Sequence, residues 1–203
     1  MTFLIIGITV IISLVAMQSP ELFHKLSFSP WLIDQKKQSW RFLSHGLVHA
    51  GWAHLAINMF VLYSFGSHVE EAYEGLFGVS KGMLFYFLLY VGGILFSTVF
   101  DYGKHKSDPY YTAVGASGAV ASVLFASIII SPTSKLLIFP IPFPVPAYIF
   151  GVLYLVYSAY MGRRGQDNIG HYAHFFGAVF GVFFTILTKP ELIARFGAQL
   201  GLF

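Results

Sequence analysis

The chain has 203 residues, of which 56% are hydrophobic and only 10% are Asp, Glu, Lys or Arg, and its mean hydropathy is +0.69. A water-soluble domain carries roughly 25% of those charged residues to keep its surface hydrated, so the composition excludes an ordinary soluble fold. The net charge is +3 with no basic run longer than two, which speaks against nucleic-acid binding, and the lack of cysteine removes disulfides, thiolate metal sites and a Cys nucleophile.

A membrane-spanning helix needs about 20 apolar residues, and five or six of them with their loops use up the chain. The first apolar run, residues 3–17, has no basic segment before it and no A-x-A site behind it, so it reads as an uncleaved span rather than a signal peptide. Residues 20–50 are mixed, with two prolines, Trp31, Trp40 and four basic residues, and read as a loop in the headgroup region, where Trp is favoured. A second span runs from Trp52 to Val69 and ends at Glu70, Glu71 and Glu74; a third runs from Lys81 to Phe100 and ends at Asp101.

After a polar loop, 104–111, a fourth span starts near Thr112 with unusually small residues and stops at Ser131-Pro132. The proline-rich connector Pro140 to Pro146 cannot continue a helix. A fifth span covers Ala147 to Met161 and a sixth His171 to Leu187, followed by a short tail. The expected architecture is all-α: a single polytopic membrane domain over residues 1–203, a six-helix bundle with no separate soluble module. Only helices or closed barrels satisfy the backbone in lipid, and continuous apolar runs disfavour a barrel.

Charge gives an orientation. With a cytoplasmic N-terminus, the outer loops hold Lys25, Lys36, Lys37, Arg41, Lys104, Lys106, Arg163 and Arg164, and the inner ones only Lys81, Lys135, Lys189 and Arg195. Taken alone, that distribution puts the N-terminus outside.

Polar side chains within membrane helices mark function, and three clusters qualify. His45, His49, His54 and Asn58 fall in HGLVHAGWAHLAIN, with His54 and Asn58 one turn apart on one helix face. Gly115-Ala-Ser117-Gly118 opens the fourth span, and His171 and His174 open the sixth. Ser117 fits close helix packing, but a serine at a helix N-terminus also sits beside free N–H groups and the positive end of the dipole, a ready oxyanion site. His174 fits an interhelical hydrogen bond, yet Gly177 and Gly181 continue its face as G-x-x-x-G, which invites a neighbouring helix to approach closely. If the small face at Ser117 is that neighbour, an imidazole meets a hydroxyl, a base and its nucleophile.

His54 and Asn58 are then either oxyanion donors or an interhelical clamp. All nine acids are expected in loops or at span edges. Asp167, upstream of His174, reads as loop, so a two-residue Ser-His system is expected rather than a triad.

These residues resemble the rhomboid family of intramembrane serine proteases. The resemblance rests on Trp40-Arg41, His54-x-x-x-Asn58, Gly66-x-x-x-Glu70, Gly115-Ala-Ser117-Gly118 and Ala173-His174-x-x-Gly177-x-x-x-Gly181, in the family's order over positions 40–181. It implies a water-filled site below the membrane surface, with Ser117 as nucleophile and His174 as base. His54, Asn58 and the Ser117 backbone N–H would form the oxyanion hole; Trp40, Arg41 and Glu70 would support structure.

It further implies single-pass transmembrane protein substrates and no cofactor. The protein would be a multi-pass one of a bacterial inner membrane, N-terminus cytoplasmic and site open to the extracytoplasmic side, contrary to the charge distribution. The sequence departs from some members at Ala121, where an aromatic one turn after the serine packs on the catalytic imidazole. The other histidines would retain water, His171 among them, although His171 is also the rival base. Two other readings stand beside the protease: a histidine-rich transporter or metal-binding protein using His45 and His49 at i,i+4, and a non-catalytic rhomboid-like binding protein.

Overall fold

The computed structural model describes residues 1–138, 142–165 and 169–202; Asp167 and part of the proline connector lie outside the described residues. Ten helices are found among the described residues. They are α1 (Thr2–Gln18), α2 (Pro20–Leu26), α3 (Pro30–Lys36), α4 (Arg41–Ser44), α5 (Trp52–Phe77), α6 (Val79–His105), α7 (Ser117–Ile130), α8 (Ala147–Arg164), α9 (His171–Thr188) and α10 (Glu191–Gln199). A short 3-10 turn, His45–Leu47, follows α4, and two-residue strands β1 (Lys135–Leu136) and β2 (Val145–Pro146) pair antiparallel between α7 and α8. The chain is therefore all-α in character, as expected.

Long helices stand at all six expected places, with three changes of boundary. The second and third extend past their expected ends and join through Gly78 alone, whose φ of 80° is open chiefly to glycine. The acids Glu70, Glu71, Glu74 and Asp101 consequently lie inside helices, not in loops. The fourth helix starts at Ser117, five residues later than expected, because Gly115 at φ 118° breaks the helical path just before it. The headgroup segment, expected to be irregular, holds three short helices: Ser19 and Ser29 cap α2 and α3 by accepting from the N–H groups of Leu22 and Leu32, and Pro20 and Pro30 occupy first-turn positions where no N–H is needed. The expected tail holds α10.

Helix α7 is the hub, packed by α5, α6 and α9, while α1 leans on α5 and α8 packs chiefly on α9. Every residue from Gly118 to Ile129 is buried. Its Val123 shares a cluster with Leu62, Val69, Tyr73, Tyr86 and Leu89, and its Leu124, Phe125 and Ile128 form a second one with Ala147 of α8 and Ala178 of α9.

The opposite faces of the long helices are apolar as well. Leu4, Phe60, Val99, Val156, Phe183 and Leu187 are all exposed, which a protein in water avoids on this scale and hydrocarbon favours. α6 and α9 are long and apolar enough to cross a membrane; α1 and α7 are apolar but shorter.

Candidate active site

The chain entering α7 is fastened to the first loop at three successive levels. Phe28 and Ala113 exchange both backbone hydrogen bonds, at 2.9 and 3.0 Å; Gly115 N–H donates to the His45 carbonyl at 2.9 Å; and Ala116 N–H donates to Nε2 of His49 at 3.3 Å. Ser117 follows as the first residue of α7 and is half-buried.

The hydrogen bonds of His49 fix its tautomer. Ser13 Oγ has one proton, which it donates to the Leu47 carbonyl at 2.9 Å, so at its 2.9 Å contact with His49 it accepts from Nδ1–H. That leaves the Nε2 lone pair for Ala116. Burial, reinforced by the neighbouring His54 and His45, pushes the His49 imidazole down to about 3, and burial pushes His45 down to about 4. Both rings stay neutral at physiological pH, as the Nε2 acceptor requires. With both nitrogens engaged, His49 is unavailable for the His45–His49 metal pair on which the rival metal-binding reading draws. Among the described residues no group of three or more His, Asp or Glu side chains could hold a metal ion.

Gly115 makes room for His54. A Cβ there would stand 2.6 Å from His54 Cε1 and 2.8 Å from Nε2, so the imidazole rests on the backbone two residues before Ser117. His54 also meets His49 edge-on at 4.9 Å between centroids. One turn further along α5, Asn58 is buried and its Nδ2 donates to the His54 carbonyl at 2.9 Å. His54 is half-buried.

Toward their N-terminal ends α7 and α9 meet backbone to backbone. A Cβ on Gly177 would run into the carbonyl oxygen of Gly118, and one on Gly181 into that of Ser122. The Ser122 hydroxyl straddles the seam, 2.7 Å from the Gly177 carbonyl and 3.0 Å from its own Gly118 carbonyl. Gly118 is enclosed on its other side by Ser97 of α6, and a Cβ on it would also stand 3.4 Å from the Ala173 carbonyl. Ser117 and His174 each lie one position from that contact, and His174 is half-buried.

Residues 36–191 of this chain match the family described as the Rhomboid domain. The chain belongs to the rhomboid family. Among curated proteins it is similar to rhomboid protease AarA of Providencia stuartii, 28% identical over 160 residues, covering 72% of this chain and 55% of that protein. Rhomboid protease GluP of Bacillus subtilis is 34% identical over 96 residues, 47% of this chain and 17% of that protein. Rhomboid-related protein 2 of Mus musculus is 32% identical over 91 residues, 45% of this chain and 26% of that protein. The chain spans little more than half the length of AarA and less of the others.

The remaining rhomboid motif residues lie away from Ser117. Arg41 is buried and knits the first loop: its Nη1 donates to the carbonyls of His24 and Ser27 at 2.6 and 2.7 Å, and its Nε to Gln38 Oε1 at 2.7 Å. Trp40 beside it is half exposed. Gly66 admits Thr2 and the Tyr86 hydroxyl to the α5 backbone, and Glu70 one turn on accepts from the Thr2 N–H at 2.9 Å and from the Met1 amino group. Thus Gly66-x-x-x-Glu70 docks α1 on α5.

A pocket of about 730 Å³ on the first loop, lined by His24, Lys25, Trp40 and Tyr110 among others, includes none of Ser117, His174, His54 and Asn58. Three contributors escape sequence reasoning: His49 as the support of Ala116, Ser122 as the bridge to α9, and Tyr154 of α8. The ring of Tyr154 lies 6.4 Å from that of His174 at a 30° tilt. His171 is buried and packs edge-on against Tyr157, 5.6 Å away.

Proposed function

We propose that this rhomboid is an intramembrane serine endopeptidase that cuts single-pass transmembrane proteins with Ser117 and His174. The observation that carries the reading is the close approach of Gly118 on α7 to Ala173 and Gly177 on α9, one residue from Ser117 and one to three from His174. His174 takes the Ser117 proton as Oγ attacks the scissile carbonyl, then hands it to the leaving amine as the peptide bond breaks. Water, deprotonated by the same imidazole, hydrolyses the acyl-enzyme.

The oxyanion would lie at the α7 N-terminus, among N–H groups without intrahelical partners and the positive end of the dipole. His54 and Asn58 would complete the donor set from α5. Removing one donor of this kind typically costs about 3 kcal/mol of transition-state stabilisation.

The lengths of the helices supply the depth. The six long helices α1, α5, α6, α7, α8 and α9 are the proposed spans. At 1.5 Å per residue the 14-residue α7 is about 21 Å long, against a hydrocarbon core of about 30 Å. A helix that short, surrounded by α5, α6 and α9, can hold its N-terminus below the bilayer surface, within reach of a transmembrane substrate. The site opens at the end of the bundle carrying the first loop, proposed as the extracytoplasmic side of a bacterial inner membrane. The full engagement of His49 weighs against the transporter reading.

Cleavage in proteoliposomes tests the proposal. A panel of tagged single-pass proteins with small residues near helix-destabilised segments should be cut by the parent protein and left intact by Ser117→Ala and His174→Ala. Equal cleavage by Ser117→Ala would contradict it.

A further inference from the structure

Ala121 sits one helical turn after Ser117 and is buried among Phe125, Ala147 and Ala178. A methyl group there cannot present a ring to the imidazole of His174. The ring comes from another helix. Tyr154 of α8 faces His174 at 6.4 Å between centroids and a 30° tilt, within the range of favourable offset ring pairs. Tyr154 is itself held between Phe125 of α7 at 5.5 Å and Phe150 of α8 at 5.7 Å.

The contact belongs to a registered pair. Tyr154 and Tyr157 are three apart and share a face of α8, and His171 and His174 are three apart on α9. Tyr157 meets His171 at 5.6 Å, Tyr154 meets His174, and the two imidazoles meet edge-on at 6.1 Å. Because α8 and α9 are successive helices running in opposite directions, the later tyrosine pairs with the earlier histidine.

We propose that Tyr154 is the positioning residue for the His174 imidazole, its ring taking the place of the aromatic that Ala121 does not provide. The role rests on the Ser117–His174 reading. It differs from an aromatic on α7 in one consequence. α8 packs mainly on α9 at the outside of the bundle, so any outward movement of α8 that admits a substrate also withdraws the ring from the base. Orientation of the imidazole is then coupled to the position of α8, and returns when α8 closes.

Labelling by a small fluorophosphonate in detergent tests this, because the probe needs an activated serine but no transmembrane docking. Tyr154→Phe keeps the ring and should label at about the parent rate. Tyr154→Leu keeps a half-buried apolar side chain without the ring, and its maximal labelling rate should fall roughly 10- to 100-fold, the scale of a misplaced catalytic group. The probe concentration at half-maximal rate should stay near the parent value, since orientation rather than access is lost.

Unfolding temperatures of the two variants, measured alongside, separate rate from folding. Parent-like labelling of Tyr154→Leu, or an equal loss in Tyr154→Phe, would overturn the positioning role while leaving the dyad in place. Undiminished labelling of Ser117→Ala would overturn both.

Discussion

At the scale of single residues, the site depends on groups whose chemistry is set by what encloses them. Gly115 has a φ of 118° and no space for a Cβ beside His54. Gly115→Ala should therefore destabilise the protein by about 1–3 kcal/mol through backbone strain alone, and displacement of His54 should lower the fluorophosphonate labelling rate as well. Thermal unfolding and labelling of that variant in detergent check both effects; a parent-like rate and stability would contradict the packing.

His45 and His49 make a pH prediction. Their folded-state values, about 4 and about 3, lie below the ordinary value near 6.5. The unfolded chain therefore binds more protons in that window, so stability is fully present above about pH 6.5 and is lost on acidification toward pH 3–4. The slope is about 1.4 kcal/mol per pH unit for each imidazole. Unfolding followed from pH 7 to pH 4 should show the decline, and His45→Gln should make it shallower. The types and spacing of Ser117, His54 and His174 were legible in the sequence because they fall on recognisable helix faces. The role of His49 was not, since its two partners, Ser13 and Ala116, are 36 and 67 residues away in sequence.

At the scale of elements, the contact between α7 and α9 brings together the helix ends that carry Ser117 and His174. Its signature, Gly177-x-x-x-Gly181 against small residues after Ser117, could be read directly from helical periodicity. Gly181→Val puts a branched side chain into the Ser122 carbonyl and should force the helices apart. A loss of about 1–3 kcal/mol is expected for overpacking, with loss of cleavage in proteoliposomes; retained activity would mean that the seam does not position the site. The boundaries of α5, α6 and α7 were less legible. A glycine at positive φ ends or delays a helix by its backbone angle, and Gly78 and Gly115 look in sequence like any other of the twenty glycines. The short helices of the first loop were hidden for a related reason: Pro20 and Pro30, in a mixed segment that reads as loop, follow capping serines and start helices.

At the scale of the whole molecule, an apolar exterior surrounds a core that carries buried polar groups, the arrangement expected of a bundle in lipid. Membrane residence and all-α character followed from composition, whereas the count of basic residues and the proposed topology give opposite orientations. Four of the basic residues that produce the disagreement, Lys25, Lys36, Lys37 and Arg41, lie on or beside short helices of a folded segment rather than in a free loop. The chain has no cysteine, so Lys104→Cys offers a single site for a membrane-impermeant thiol reagent. Labelling from outside intact cells supports the proposed topology; protection from outside with labelling after lysis would reverse it.

In the proposed mechanism the Ser117 hydroxyl is made nucleophilic by His174. Fluorophosphonate labelling followed by peptide mass mapping reads this directly. One adduct is expected, on the peptide containing Ser117, abolished in Ser117→Ala and in folded His174→Ala. An adduct elsewhere, or undiminished modification of Ser117 without the imidazole at 174, would contradict it.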